Sequence, residues 1–302
     1  MQAVTPDRQA HVKSAERVLD IVEALASDPR GLTFSQLLRL LQFPKSSLHQ
    51  LLHVMTERGY LEYDGGSRTY RLGIRVWESG QAYLGHHDLV REAMPVMESI
   101  VGQINETVQV AILDGVENVY PAKVDSSHPL RLQSEVGRRL SAHATGLGKV
   151  LLAHLSYEEL IHRLQFMALP RFTVHTLTDQ NQLLEELERI RKRGFAVDAQ
   201  EYTPGVCCVA VPIHHASSRL IAAMSVSIPL TRADIDLFAT ALCLLAEGSV
   251  RITRRLGGRI DDVRLANPLD HSTTRDTLVP LVNHLVQSRT SGRKEVAAAP
   301  GP

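Results

Sequence analysis

Residues Thr33 to Arg71 set out a helix, a tight turn, a second helix and a two-stranded hairpin, in that order. That succession is the outline of a winged helix-turn-helix and leaves this part of the chain little freedom to fold otherwise. Thr33 stands where a short amphipathic helix, Phe34–Leu41, needs an N-cap. Gln42-Phe43-Pro44 breaks that helix, and Pro44 suits the first turn of the next because a missing N–H costs nothing there. The second helix is predicted from Lys45 to Arg58. Its Leu48, Leu51, Leu52 and Met55 recur at i, i+3, i+4 and i+7 and make one narrow apolar stripe. Ser46, His49, Gln50, His53 and Glu57 occupy the far side. Hydroxyl, amide and imidazole groups on the free face of such a helix suit base edges in a DNA major groove.

Tyr60–Tyr63 and Arg68–Leu72 alternate and are rich in aromatic and β-branched residues, so they read as two strands. Asp64-Gly65-Gly66-Ser67 joins them, and the glycines are expected to supply the positive φ of a tight hairpin turn. Acidic and basic residues nearly balance between Val12 and Leu72, so placement rather than net charge must attract a nucleic acid. Lys45, Ser46 and Ser47 are placed for phosphates, His49, Gln50 and His53 for base edges. Arg68 and Arg71 on the wing lie within reach of phosphates or a minor groove, and Arg68 is the one singled out as a contact. A helical bundle with an incidental hairpin fits the order of elements less well.

With 302 residues the chain has room for about two domains. Its formal net charge of zero points to no partner class. Met1–His11 is polar and lacks the apolar core of a secretory signal, and the apolar run Leu237–Ala246 is too short to span a bilayer. Three cysteines, two of them adjacent at Cys207 and Cys208, give no disulfide framework and fit a reducing cytoplasm. A cytoplasmic protein with no membrane partner is expected.

Before the helix-turn-helix, Ser14–Ala26 is an amphipathic helix expected to bury Val18, Leu19, Val22 and Leu25. After the hairpin, Gly73–Asp88 reads as a linker helix whose Ile74, Trp77, Ala82, Tyr83 and Leu84 suit a dimer contact, or alternatively packing on its own wing. From Val90 helices mix with short strands: helix Val90–Ile104, strands Thr107–Leu113, Glu117–Lys123 and Leu130–Ser134, then helices Ala144–His154, Tyr157–Leu164 and Leu183–Lys192. Strands Phe195–Ala199, Val206–Ile213 and Leu220–Ser227 follow, the last apolar enough for the middle of a sheet, and helix Arg232–Leu256 closes the domain. Without a regular βαβ repeat this is an α+β domain on a central antiparallel sheet. The division expected is 12–72 (winged domain), 73–89 (linker helix), 90–256 (second domain) and 257–302, a tail left mostly disordered apart from a short helix at Thr277–Val286.

Three segments carry a resemblance. They are Tyr70-Arg71-Leu72-Gly73, the run from His143 to Ala153 around Thr145-Gly146-Leu147-Gly148-Lys149, and Gly194-Phe195-Ala196-Val197-Asp198 with Glu201, Gly205–Ile213 and Ala222–Ser227. In this order they make the chain, from Val12 to Arg255, resemble the IclR family of bacterial transcription regulators. The resemblance implies an effector-binding domain similar to GAF and profilin-like folds, and dimers or dimers of dimers on a palindromic operator. Thr145 is a good N-cap, and Gly146-Leu147-Gly148 would bare the N–H groups of a helix start, a natural anion site that glycines let a ligand approach. In the family small organic acids place a carboxylate there, so Gly146 and Leu147 carry over as ligand contacts. By the same resemblance Leu132 and Val206 line the pocket, and Asp198, Cys208, Ser225 and Ser227 form its polar side. Ser225 and Ser227 fit equally well a strand with satisfied hydroxyls, and Cys208 a small buried hydrophobe. The chain departs from the family at Ser141, usually proline, at Gly146, often alanine, and in its longer tail.

Other chemistries fit poorly. Gly148-Lys149 lacks the upstream glycine and following hydroxyl of a phosphate loop, since His143 and Val150 stand there. His49 and His53 have a zinc-compatible spacing but no third ligand. Cys207 and Cys208 should point to opposite faces of a strand, and His86-His87 and His214-His215 are expected at the surface. The reading is a regulator of double-stranded DNA without enzymatic activity or cofactor, answering to a small organic effector, which the resemblance implies is a carboxylate, and working as a homodimer or tetramer. A winged regulator controlled by a protein partner is the alternative, and a GAF-like enzyme a weaker one.

Overall fold

The computed structural model describes residues 12–85, 89–129, 135–215, 219–258 and 271–282. The chain divides into two compact units, residues 1–87 and 88–302.

The first unit contains α1 (Lys13–Ala26), β1 (Leu32–Thr33), α2 (Phe34–Leu41), α3 (Lys45–Glu57), β2 (Leu61–Asp64), β3 (Thr69–Leu72) and α4 (Ile74–Gly85). A capping box starts α2: the Gln36 N–H donates to Thr33 Oγ1 at 3.3 Å, and the Thr33 N–H donates to Gln36 Oε1 at 2.7 Å. Gln42 ends α2 in the left-handed region, at φ 54°, and Pro44 sits at the N-cap of α3 rather than inside its first turn. Leu48, Leu52 and Met55 of α3 close over Ile21, Leu25, Leu37 and Leu61. The buried side of α1 is Val18, Ile21, Val22 and Leu25, with Leu19 left 61% exposed. The expected stripe had the right spacing elsewhere but took Leu19 in place of Ile21.

The wing is a three-stranded antiparallel sheet in the order β1-β3-β2, and β1 was not foreseen. Its hairpin turn corrects the expectation about glycine, because neither Gly65 nor Gly66 has positive φ and Arg68 does, at 54°. The Asp64 carboxylate makes the turn instead, accepting from the Gly66 N–H at 2.9 Å and the Ser67 hydroxyl at 2.6 Å. Ile74 and Trp77 of α4 are exposed.

The second unit runs α5 (Leu89–Ile104), β4 (Thr107–Asp114), β5 (Glu117–Val124), β6 (Arg139–Ser141), a 3₁₀ turn (Ala142–Ala144), α6 (Gly146–Ala153), α7 (Tyr157–Leu164) and α8 (Gln180–Arg193). It continues with β7 (Ala196–Ala199), β8 (Val206–His214), β9 (Leu220–Pro229) and α9 (Ile235–Arg255). The strands form one antiparallel sheet in the order β6-β5-β4-β9-β8-β7. β9 lies in its middle, where its unbroken apolar run belongs. The expected strand Leu130–Ser134 falls outside the described residues.

Alternation along the strands gives the sheet two unlike faces. Val108, Val110, Val197, Val209, Val211 and Val226 point to one, where α5 and α9 cover them with Met97, Phe238 and Leu242. Ala111, Ala196, Ala210 and Ala223 point to the other, beneath α6 and α8. Branched side chains fill the first layer completely, whereas small ones leave space under the second. A last helix, α10 (residues 271–282), begins earlier than the expected Thr277, and the remainder of the tail past residue 258 lies outside the described residues. Its Leu278 and Val282 enter the core beside α9, and Arg275 pairs with Asp236 at 2.9 Å.

Candidate functional site

In the first unit, the starts of α2 and α3 and the wing enclose a groove of about 990 Å³. Lys45, Ser46, His49 and Arg68 line it, so four of the seven residues expected at DNA meet on one surface. Gln50 and His53 are exposed on the same helix outside the groove. Ser47 is turned toward α1, where its hydroxyl accepts from the Arg17 guanidinium at 2.9 Å, and it does not join the others. Sequence reasoning missed Tyr63 and Tyr70, cross-strand partners on the wing with ring centroids 4.8 Å apart. Their alternation in the hairpin was a usable signal.

In the second unit, a cavity of about 250 Å³ lies between the small-residue face of the sheet and the start of α6. Gly146, Leu147, Asp198, Val206, Cys208, Ser225 and Ser227 all line it, and Leu132 is outside the described residues. Gln109, Tyr120, Arg138 and Tyr202 line it too. The first two share a strand face with residues already chosen, so alternation could have found them. Arg138 and Tyr202 come from irregular segments that carry no periodic signal.

The start of α6 is built by Thr145, whose Oγ1 accepts from the Gly148 N–H at 3.0 Å and donates to Asn118 at 3.2 Å. The two glycines do different jobs. A Cβ on Gly148 would overlap the backbone of Ala142, so this glycine serves helix packing and not ligand approach. A Cβ on Gly146 would make ordinary contacts with Ala210 and Asp198, at 3.5 and 3.6 Å.

Lys149 is only 1% exposed; its ammonium pairs with Glu201 and donates to the Val197 carbonyl at 2.9 Å. It holds the fold together, and the Gly148-Lys149 pair cradles no phosphate. Asp198 Oδ1 accepts from the Glu201 N–H at 2.7 Å. Burial first, and then the neighbouring Glu201 carboxylate, push Asp198 up to about 7.

Cys208, Ser227 and Gln109 form a polar row across β8, β9 and β4, with Cys208 Sγ 3.3 Å from Ser227 Oγ and that hydroxyl donating to Gln109 at 3.4 Å. Ser227 is therefore satisfied within the protein, while among the described residues the buried Ser225 hydroxyl has no partner. Burial pushes the Cys208 thiol well above its usual range, which leaves it an uncharged group. Cys207 belongs to the opposite layer. His215 is exposed as expected, but His214 is buried, edge-on to His154 at 5.8 Å, because β8 carries it under the sheet's end.

Residues 14–65 match the IclR helix-turn-helix domain, and residues 81–252 match the domain described as bacterial transcriptional regulator IclR C-terminal. The chain belongs to the IclR family. It is 33% identical over 246 residues to the HTH-type transcriptional regulator XynR of Escherichia coli (strain K12), covering 82% of this chain and 98% of XynR. To the regulator BhcR of Paracoccus denitrificans (strain Pd 1222) it is 34% identical over 221 residues, 73% of this chain and 79% of that one. A crystal structure of an IclR homolog from Microbacterium hydrocarbonoxydans, complexed with 4-hydroxybenzoate, superposes with a TM-score of 0.72 at 28% identity, over 80% of this chain and 98% of the homolog. The IclR-family chain is thus a DNA-binding transcriptional regulator with an N-terminal helix-turn-helix and a C-terminal effector-binding domain, and not an enzyme. Among the described residues, no helix is long and apolar enough to cross a membrane.

Proposed function

We propose that this regulator holds a palindromic operator as a homodimer or a tetramer, and that a small organic acid in the 250 Å³ cavity changes its grip. The observation that carries the reading is Ser225: a buried hydroxyl on the cavity wall that finds no hydrogen-bond partner among the described residues. Beside it the bare first turn of α6 offers N–H groups to a carboxylate. The cavity is smaller than drug-sized pockets, which suits a metabolite. The 4-hydroxybenzoate held by the Microbacterium homolog is an acid of this kind. Lys45, Ser46 and Arg68 take phosphates and His49, Gln50 and His53 take base edges, while exposed Ile74 and Trp77 supply apolar surface for pairing of two chains. The regulator works in the cytoplasm and needs no cofactor. The acid acts by binding one arrangement of the paired chains more tightly than another.

A thermal-shift screen of small carboxylates, 4-hydroxybenzoate among them, tests this, since a ligand of the native state raises its melting temperature. An acid that raises the Tm is expected to change affinity for the regulator's own promoter DNA in a salt-controlled anisotropy titration. Were no acid to raise it while DNA binding stayed intact, control would belong to a protein partner instead.

A further inference from the structure

Lys149, Glu201 and Asp198 are buried together where α6 begins and β7 ends, two carboxylates with one cation. Lys149 is taken by Glu201, and among the described residues Asp198 makes no ion pair. A buried charge without a partner is costly, so this arrangement favours a neutral Asp198. The first turn of α6, which would take a ligand's carboxylate, lies against the same side chain, with the Cβ position of Gly146 3.6 Å from Asp198 Cβ. An acid entering there would set a second carboxylate beside the first, and neighbouring carboxylates do not both stay ionised.

Building on the reading that this cavity takes a small organic acid, we propose that the acid binds together with one proton, carried by Asp198, so that the two meet as a carboxyl–carboxylate pair. The proton comes from solvent, Asp198 donates it in a hydrogen bond to the ligand's carboxylate, and no covalent bond changes. Burial and Glu201 hold Asp198 near 7, and Lys149 opposes them. The other groups facing this end stay uncharged at that pH. Burial raises Cys207 to about 12, lifts Cys208 and Tyr120 well above their usual ranges, and lowers the His143 imidazole. Tyr202 lines the same wall. Arg138, just before β6, lines the same cavity.

The test is calorimetry of the full-length protein with the acid that gives the largest thermal shift, 4-hydroxybenzoate being the first probe, in two buffers of different ionisation enthalpy. Proton uptake on binding is expected to be near zero at about pH 6 and to approach one at about pH 8, with Kd weakening up to about tenfold per unit above pH 7. Asp198→Asn keeps an oxygen to accept from the Glu201 N–H and gains a permanent donor. It should bind without proton uptake and with a Kd nearly independent of pH. Binding by the wild type with no uptake at about pH 8, or uptake that survives in Asp198→Asn, overturns the proposal and leaves the acid-binding reading standing. No binding by any acid at any pH removes both. Should the variant fail to fold, the wild-type proton count decides alone.

Discussion

The groove of the winged unit and the cavity of the second unit are built from residues with different second duties. Lys45, Ser46, His49 and Arg68 stand on an exposed face, and the small core beneath them is made by other residues, Leu48, Leu52 and Met55. In the cavity, Gly146, Asp198 and Ser227 touch the helix start, the Glu201 backbone and the strand neighbours that hold the sheet closed. A surface site can be altered without unfolding its scaffold; a buried one is part of the scaffold. Ser225 is the exception, a cavity residue whose hydroxyl holds no other group among the described residues.

Substitutions can break this contrast, and the largest effect is expected at the buried ion pair. Lys149→Met leaves Glu201 as a buried carboxylate without its cation and should cost about 3–5 kcal/mol in urea unfolding. An unchanged midpoint would mean that the pair holds nothing. Gly148→Ala forces a methyl into the Ala142 backbone and should cost about 1–3 kcal/mol, whereas Gly146→Ala, with room for it, gains up to about 1 kcal/mol of helix preference. Equal losses at both glycines would erase the distinction between them.

Asp198 sharpens the comparison through pH. Its folded pKa of about 7 lies above the unfolded value near 3.9, so across that window the native state holds a proton that the unfolded chain has released. Stability from this group is complete below about pH 4 and is lost as pH rises toward 7. The Tm advantage of Asp198→Asn over wild type should therefore grow between about pH 5 and pH 8, to a few degrees by scanning fluorimetry. A constant difference would place the titration elsewhere.

Smaller still is Ser225→Ala, which removes a hydroxyl without a partner among the described residues and should raise stability by up to about 1 kcal/mol while weakening the response to acid. At the other extreme, His49→Ala and Arg68→Ala should shift unfolding by no more than about 0.5 kcal/mol, and each should lower operator affinity about tenfold. A loss of stability at either position would tie the groove to its core after all.

How legible the molecule was depended on the kind of residue. The exposed face of α3 could be seen because it alternates with the buried stripe every turn, and Ser46, His49, Gln50 and His53 fell on it. In α1 both Leu19 and Ile21 are apolar, so pattern alone put one wrong residue into the stripe. At the hairpin tip a side chain, Asp64, decided the turn, and the positive φ fell on Arg68 instead of a glycine. The α+β class and the central place of β9 followed from apolar runs, but the short pairings of β1 and β6 had too few residues to show a period.

Local chemistry written along the chain determined where helices and strands begin, which helix faces outward with hydroxyl, amide and imidazole groups, and which strand residues share a face. Those features arise from backbone geometry repeating every few residues, and they needed no partner to be read. Only the tertiary structure could decide that Lys149 meets Glu201 across 52 positions, that Arg138 and Tyr202 close the cavity, and that α10 packs beside α9. Contacts between distant segments depend on how the sheet is ordered and covered, and no periodicity within a segment records its neighbours.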